Sequence, residues 1–149
     1  MSDRSLPRRV HALLAADGAI GRGWPRFEER PGQRELSGSI ADCMERGGIL
    51  LAEAPTGVGK SLAYLLPAAL IAEEGRRVTV ATCTRSLQDQ LFERDVPALR
   101  LALGLPIRAA RVKGKQNYVC PRSLNLADAR GEEEHRMLDR LRSWAAVDP

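Results

Sequence analysis

Apolar residues recur along this chain at two spacings, and the spacings predict its elements. Leu6, Val10, Leu13 and Leu14 fall three or four apart between Leu6 and Ala16, which predicts a helix ending at Asp17-Gly18. His11 inside it reads as a solvated or capping residue. Ile20 to Glu29 is interrupted by Gly21, Gly23 and Pro25 and predicts irregular chain, with Trp24 and Phe27 available to pack. Arg30-Pro31-Gly32-Gln33 opens a second helix whose apolar face is Leu36, Ile40 and Met44, closed by Gly47-Gly48. Ile49 to Ala52 is a short unbroken apolar run, the pattern of a buried strand. Helical periodicity resumes from Ser61 to Glu74, with a kink expected at Pro67 and an end at Gly75.

A second buried strand is predicted at Arg77 to Thr82. Thr84 then reads as the N-cap of a helix from Arg85 to Arg94, with Leu87 and Leu91 inward and Pro97 as its stop. Ile107 to Val112 is a third strand candidate. Glu132 to Ala146 is amphipathic, with Met137, Leu138, Leu141 and Trp144 on one side and Glu132, Glu133 and Glu134 favouring the dipole at its start. His135 there reads as simply exposed. Alternating strands and helices at these lengths predict an α/β fold, a parallel sheet wound right-handedly with flanking helices. A ligand belongs at the carboxyl ends of such strands, where Ala54, Thr82 and Lys113 are expected to face one crevice.

The turn after the first strand carries the chemistry. Strand, then Pro55-Thr56-Gly57-Val58-Gly59, then a helix from Lys60 is the context of a phosphate-binding loop. Glycines let consecutive backbone N–H groups curl around an anion, and the helix N-terminus adds about half a positive charge. Lys60 would reach the β- and γ-phosphates and the Ser61 hydroxyl would take one position on Mg²⁺. The full pattern G-x-x-x-x-G-K-[ST] wants glycine where this chain has Ala54, a change that is tolerable if φ is negative there. The bland alternative is a glycine-rich turn with no ligand.

Composition narrows the class. A chain of 149 residues with ordinary apolar and charged fractions is one globular domain's length. No apolar run reaches the roughly 18 residues of a membrane span, and the start Ser2-Asp3-Arg4 is not a signal peptide, so a cytoplasmic protein is the default. A net charge of +4 permits a polyanion partner without demanding one. Three lone cysteines spell neither a disulfide framework nor a zinc site, and Cys43 and Cys83 read as small buried apolar groups. Two further features keep two readings each. Gln33 has an amide that can pair with N6 and N7 of adenine, or it is a surface glutamine of a first helical turn. Arg108, Arg111, Lys113, Lys115 and Arg122, with Tyr118 among them, suit a single strand of nucleic acid or form a solvated basic surface.

Four blocks, RPGQRE, AEAPTGVGKSLAYLLPA, VTVATCTRSLQDQL and RVKGKQNYVCPR, together resemble the DinG group of bacterial superfamily 2 DNA helicases, iron–sulfur relatives of the XPD helicase. The resemblance runs from about Leu13 to Trp144, and in such helicases alanine at the position of Ala54 is ordinary. It implies a P-loop NTPase (RecA-like) fold, present here as an incomplete first motor domain. Residues 1–48 would be N-terminal helices with an adenine-recognition motif. Residues 49–119 would be half of the motor domain, and 120–149 the start of an iron–sulfur insertion.

By the same resemblance Gln33 reads adenine with Arg30 beside the base. Ala54, Pro55, Thr56, Gly57, Val58, Gly59, Lys60 and Ser61 hold ATP, with Lys60 and Ser61 catalytic and Ser61 on Mg²⁺. Thr82, Thr84 and Gln88 touch the DNA backbone, joined by Lys113 and Lys115 of the basic run. Cys120 matches the first of four ligands of a [4Fe–4S] cluster, and one thiolate alone cannot hold such a cluster. The acidic Mg²⁺ motif and the second motor domain have no counterpart here. The expectation is therefore a nucleotide-binding piece of a monomeric 5′ to 3′ DNA helicase, poorly stable and inactive in hydrolysis by itself. The rivals are a stand-alone P-loop module or small kinase, and a single-stranded-DNA-binding protein without turnover.

Overall fold

The computed structural model describes residues 5–24 and 26–147. Pro25 and the polar start at residues 2–4 lie outside them. The chain divides into one unit up to Arg111 and a second from Val112 onward.

The first unit is built around one helix. Helices α1 (Leu6–Leu13), α2 (Ala19–Gly23) and α3 (Pro31–Arg46) precede α4 (Lys60–Glu73), and α5 (Arg85–Gln90) and α6 (Val96–Leu103) follow, joined by a π-helical turn at Leu91–Asp95. α4 is apolar nearly all round, from Leu62 and Ala63 through Leu65 to Ile71, and such a helix has to be enclosed by its neighbours. Leu6, Val10 and Leu14 from the α1 region, Ile20 of α2, Ala41 of α3, Leu91 and Leu99 cover it, with Trp24 and Phe27 packed at the margin as expected. Arg9 ties α1 to the end of α4 through Glu74 at 2.7 Å and Glu73 at 3.5 Å.

Several expectations need correction. α3 does not bury the Leu36–Ile40–Met44 stripe foremost; its buried positions are Gln33, Ser37, Gly38 and Ala41. Small side chains on that face let α1 and α4 approach closely. His11 is not solvated: its Nε2 is buried without a hydrogen-bond partner and presses on Gly38, where an added Cβ would lie 2.3 Å away. Residues 20–29 are not wholly irregular, since Ala19–Gly23 forms a short helix. Pro97 does not end the helix before it. The π turn shifts the bonding by one residue, with Val96 N–H on the Leu91 carbonyl, and the helical run passes through Pro97, which falls in the first turn of α6. The run stops at Gly104, with φ +65°. Cys83 is exposed and Cys43 half-buried, so neither is a fully enclosed thiol.

The largest difference concerns the sheet. Among the described residues no strand is formed, and the segments expected as strands, 49–52, 77–82 and 107–112, run without ladder partners. Ile49 is 100% exposed and Leu51 98%. A central parallel strand buries both faces only when strands bond both its edges and helices cover it. None of these three segments pairs with another; Ile49, Leu50, Leu51, Val80 and Val112 stay exposed, while Val78 and Ile107 pack partly buried against the core.

The second unit holds a 3₁₀ turn at Lys115–Asn117, then α7 (Pro121–Leu126) and α8 (Glu132–Val147). Arg142 of α8 donates to the Ala127 carbonyl at 2.9 Å and reaches that of Leu124 at 3.4 Å, placing a cation on the orphan carbonyls at the end of α7. Met137 and Trp144 on α8 remain exposed.

Candidate nucleotide-binding site

Two glycines shape the turn that enters α4. Gly57 and Gly59 both have φ +87°, a conformation that costs an L-residue with a Cβ about 1–2 kcal/mol. Gly59 is the N-cap of α4. A Cβ on Gly57 would meet nothing within 4 Å, so its backbone borders open space on that side. Ala54 is not among the residues of positive φ, which meets the condition for alanine at the first position of the loop pattern. Lys60 is exposed, and its Nζ donates to the carbonyls of Ala54 and Pro55 at 2.8 Å each. The ammonium therefore lies across the loop's entry, and the first turn of α4 begins at Lys60 itself. Ser61, half-buried, follows in that turn.

The segment before α3 grips this loop from the other side. Arg30 donates to the Gly57 carbonyl and is held in turn by Glu28, at 2.9 Å from Nη2. Gln33, only 6% exposed, donates from Nε2 to the Gly59 carbonyl at 2.9 Å. One turn further, the Ser37 hydroxyl donates to the Ala63 carbonyl at 2.8 Å. The structure thus brings Arg30, Gln33 and the phosphate loop together, as a hydrogen-bonded frame. Gln33 is not a free surface glutamine: one of its two amide N–H groups is taken by the Gly59 carbonyl.

Thr82 lies half-buried beyond the extended segment, and Thr84 caps α5 by accepting the Leu87 N–H at 3.3 Å. That leaves the Thr84 hydroxyl proton as a donor. Gln88 is half-buried in α5. Arg111 leaves the basic surface: it pairs with Asp89 at 2.6 Å and Glu93 at 2.7 Å and lies over the Phe92 ring, 5.0 Å from its centroid. The Glu93 hydrogen bond, with the nearby carboxylates, raises its already high pKa. In the second unit the Lys113 N–H donates to the Tyr118 hydroxyl at 2.9 Å, and Lys115 is exposed. Cys120 precedes α7 with its thiol pKa lowered, first by the hydrogen bond from the Ser123 side chain and then by the Ser123 backbone. A larger thiolate fraction suits a metal ligand. Among the described residues no three His, Cys, Asp or Glu side chains lie together, so these residues do not by themselves make a cluster or other metal cage.

Sequence reasoning missed Ser37, Gly38 with His11, and the Arg111 cluster. Spacing held a signal for the first, since Ser37 stands four residues after Gln33 and so shares its helix face. Charge type alone gave none for Arg111.

A family model described as DEAD/DEAH box helicase matches residues 31–123. The chain is 36% identical to the ATP-dependent DNA helicase YoaA of Escherichia coli, over 89% of this chain and 21% of that protein. It is 43% identical to the ATP-dependent DNA helicase DinG of Salmonella typhimurium, over 67% of this chain and 14% of that one. The ATP-dependent helicase DinG of Mycobacterium tuberculosis is 37% identical, with 96% and 24% covered. The chain thus spans between 14% and 24% of the length of these relatives. No solved structure matches. No helix among the described residues is long and apolar enough to cross a membrane. The match covers the glycine turn, Lys60, Gln33 and Ser37, and with it the chain belongs to the DEAD/DEAH box helicase family.

Proposed function

We propose that this chain is the nucleotide-binding part of the first motor domain of an ATP-dependent DNA helicase that moves 5′ to 3′ on single-stranded DNA. The observation that carries the reading is the Lys60 ammonium poised over a turn made by two left-handed glycines, at the N-terminus of a buried helix. In this reading residues 54–61 bind the triphosphate, Lys60 stabilises charge on the β- and γ-phosphates, and the Ser61 hydroxyl holds Mg²⁺. Gln33 and Arg30 place the loop and border the adenine. Thr82, Thr84, Gln88, Lys113 and Lys115 contact DNA, chiefly its phosphates. Cys120 contributes one ligand to a [4Fe–4S] cluster whose other three come from outside these residues. Bound ATP and Mg²⁺ supply the driving chemistry of phosphoryl transfer. The chain's own part is to seat the phosphates, and it does not hydrolyse ATP by itself. The whole protein works as a cytoplasmic monomer, with a sheet completed by strands that pair with segments 49–52 and 77–82.

The test is unwinding by the full-length protein on a duplex with a 5′ or a 3′ single-stranded tail. Strand separation that needs ATP and the 5′ tail is expected. Salt-sensitive DNA binding without turnover would point instead to a passive DNA-binding protein, and phosphate transfer to a small acceptor would point to a kinase.

A further inference from the structure

Pro67 stands inside α4, and its lack of an N–H leaves the carbonyl four residues earlier, that of Ala63, without its helical donor. Ala63 is fully buried, so water cannot take the donor's place, and an unpaired carbonyl there would bear its full desolvation cost. The Ser37 hydroxyl of α3, itself 0% exposed, donates to that carbonyl at 2.8 Å. A mid-helix serine commonly bonds back to a carbonyl of its own helix; Ser37 reaches across instead.

The bond is one of two rungs. Gln33 and Ser37 are four residues apart on α3, and their acceptors Gly59 and Ala63 are four apart on the loop and α4. The Gly59 carbonyl also accepts the Ala63 N–H at 3.1 Å, so Gln33 takes its second lone pair. Both rungs climb their helices in the same direction, about 6 Å apart. A one-residue slip or a rotation of α3 would break them together.

We infer that Ser37 is a positioning residue of the nucleotide site, and that the proline in α4 exists in partnership with it. The proline opens a carbonyl inside the core; the serine closes it, and that fixes the register in which Gln33 meets the N-cap of the phosphate-loop helix. This inference rests on the nucleotide-site reading for its effect on ATP, while the pairing of Ser37 with Pro67 stands apart from it.

The experiment is a double-mutant cycle of Ser37→Ala and Pro67→Ala in the full chain, followed by denaturant unfolding and by ATP kinetics of the full-length protein. Ser37→Ala alone is expected to lower the folding equilibrium constant about tenfold or more, the cost of a stranded buried acceptor. In the Pro67→Ala background the new N–H fills the Ala63 carbonyl, and the same Ser37→Ala change should cost less than about threefold. Ser37→Ala should also raise the KM for ATP several-fold with kcat little changed, and Pro67→Ala should not restore it, because the double variant refills the Ala63 carbonyl from within α4 and still lacks the rung to α3. Equal losses from Ser37→Ala in both backgrounds overturn the pairing. An intact cycle in stability with an unchanged KM overturns the positioning role. No ATP binding by the unmutated protein refutes the nucleotide site instead. Should Ser37→Ala not fold, recovery of folding by Pro67→Ala still supports the pairing, and continued failure of the double variant contradicts it.

Discussion

Lys60→Ala in the full-length protein is expected to lower ATP hydrolysis and unwinding by about a hundredfold or more, the scale of losing a preorganised charge-stabilising group. Folding should survive. Lys60 is exposed, and its ammonium is hydrogen-bonded to two carbonyls of a loop that solvent can reach. Truncation therefore strands no buried acceptor, and the far-ultraviolet spectrum and the unfolding midpoint should stay close to the parent's. The combination is diagnostic. A lysine that merely braced the loop would change stability and leave the rate per folded molecule alone. Near-parent unwinding by a folded Lys60→Ala protein would remove the phosphate-loop assignment.

Gly59→Ala should be as damaging to nucleotide binding by a different route. The backbone there has φ +87°, and an added Cβ would lie 2.0 Å from Gln33 Nε2. Two costs coincide: about 1–2 kcal/mol for a Cβ in the left-handed region, and the displacement of a buried amide from its carbonyl. Gln33 has little room to retreat, being 6% exposed. We expect ATP affinity to fall by tenfold or more together with a measurable loss of stability, read by nucleotide titration and denaturant unfolding. Gly57→Ala offers the comparison. Gly57 has the same φ, but no atom lies within 4 Å of its Cβ position, so it carries the backbone cost without the collision. If Gly59→Ala and Gly57→Ala were equally mild, the Gln33 frame would have no hold on the loop.

These two substitutions mark what the sequence could reveal. The glycines, Lys60 and Ser61 sit in a fixed register set by local backbone chemistry, so a linear pattern finds them, and the helices at 31–46 and 60–73 follow from periodicity within a residue or so. The capping role of Thr84 was equally legible, because a cap bond closes within three residues. What escaped depends on distant partners. Val80 and Ile49 carry a strand's composition, yet a strand needs a neighbour to bond with, and none of the described residues supplies one. Pro97 looked like a stop because the π turn upstream of it has no sequence signature. His11 and Gly38 belong to one contact formed only when α1 packs on α3. Arg111 counts as a basic residue in any tally of charge, and only the fold shows that Asp89 and Glu93 neutralise it.

One physical arrangement supports the functional reading: α3 is hydrogen-bonded to a glycine turn at the head of α4, where in the proposed function the helix N-terminus and Lys60 would meet the phosphates. The most direct test is a calorimetric titration of Mg²⁺–ATP into the full-length protein and its Lys60→Ala variant. Saturable binding at one site by the parent, lost or weakened at least tenfold in the variant, is the predicted result. Absence of binding by the parent, or equal affinity in both, would contradict it.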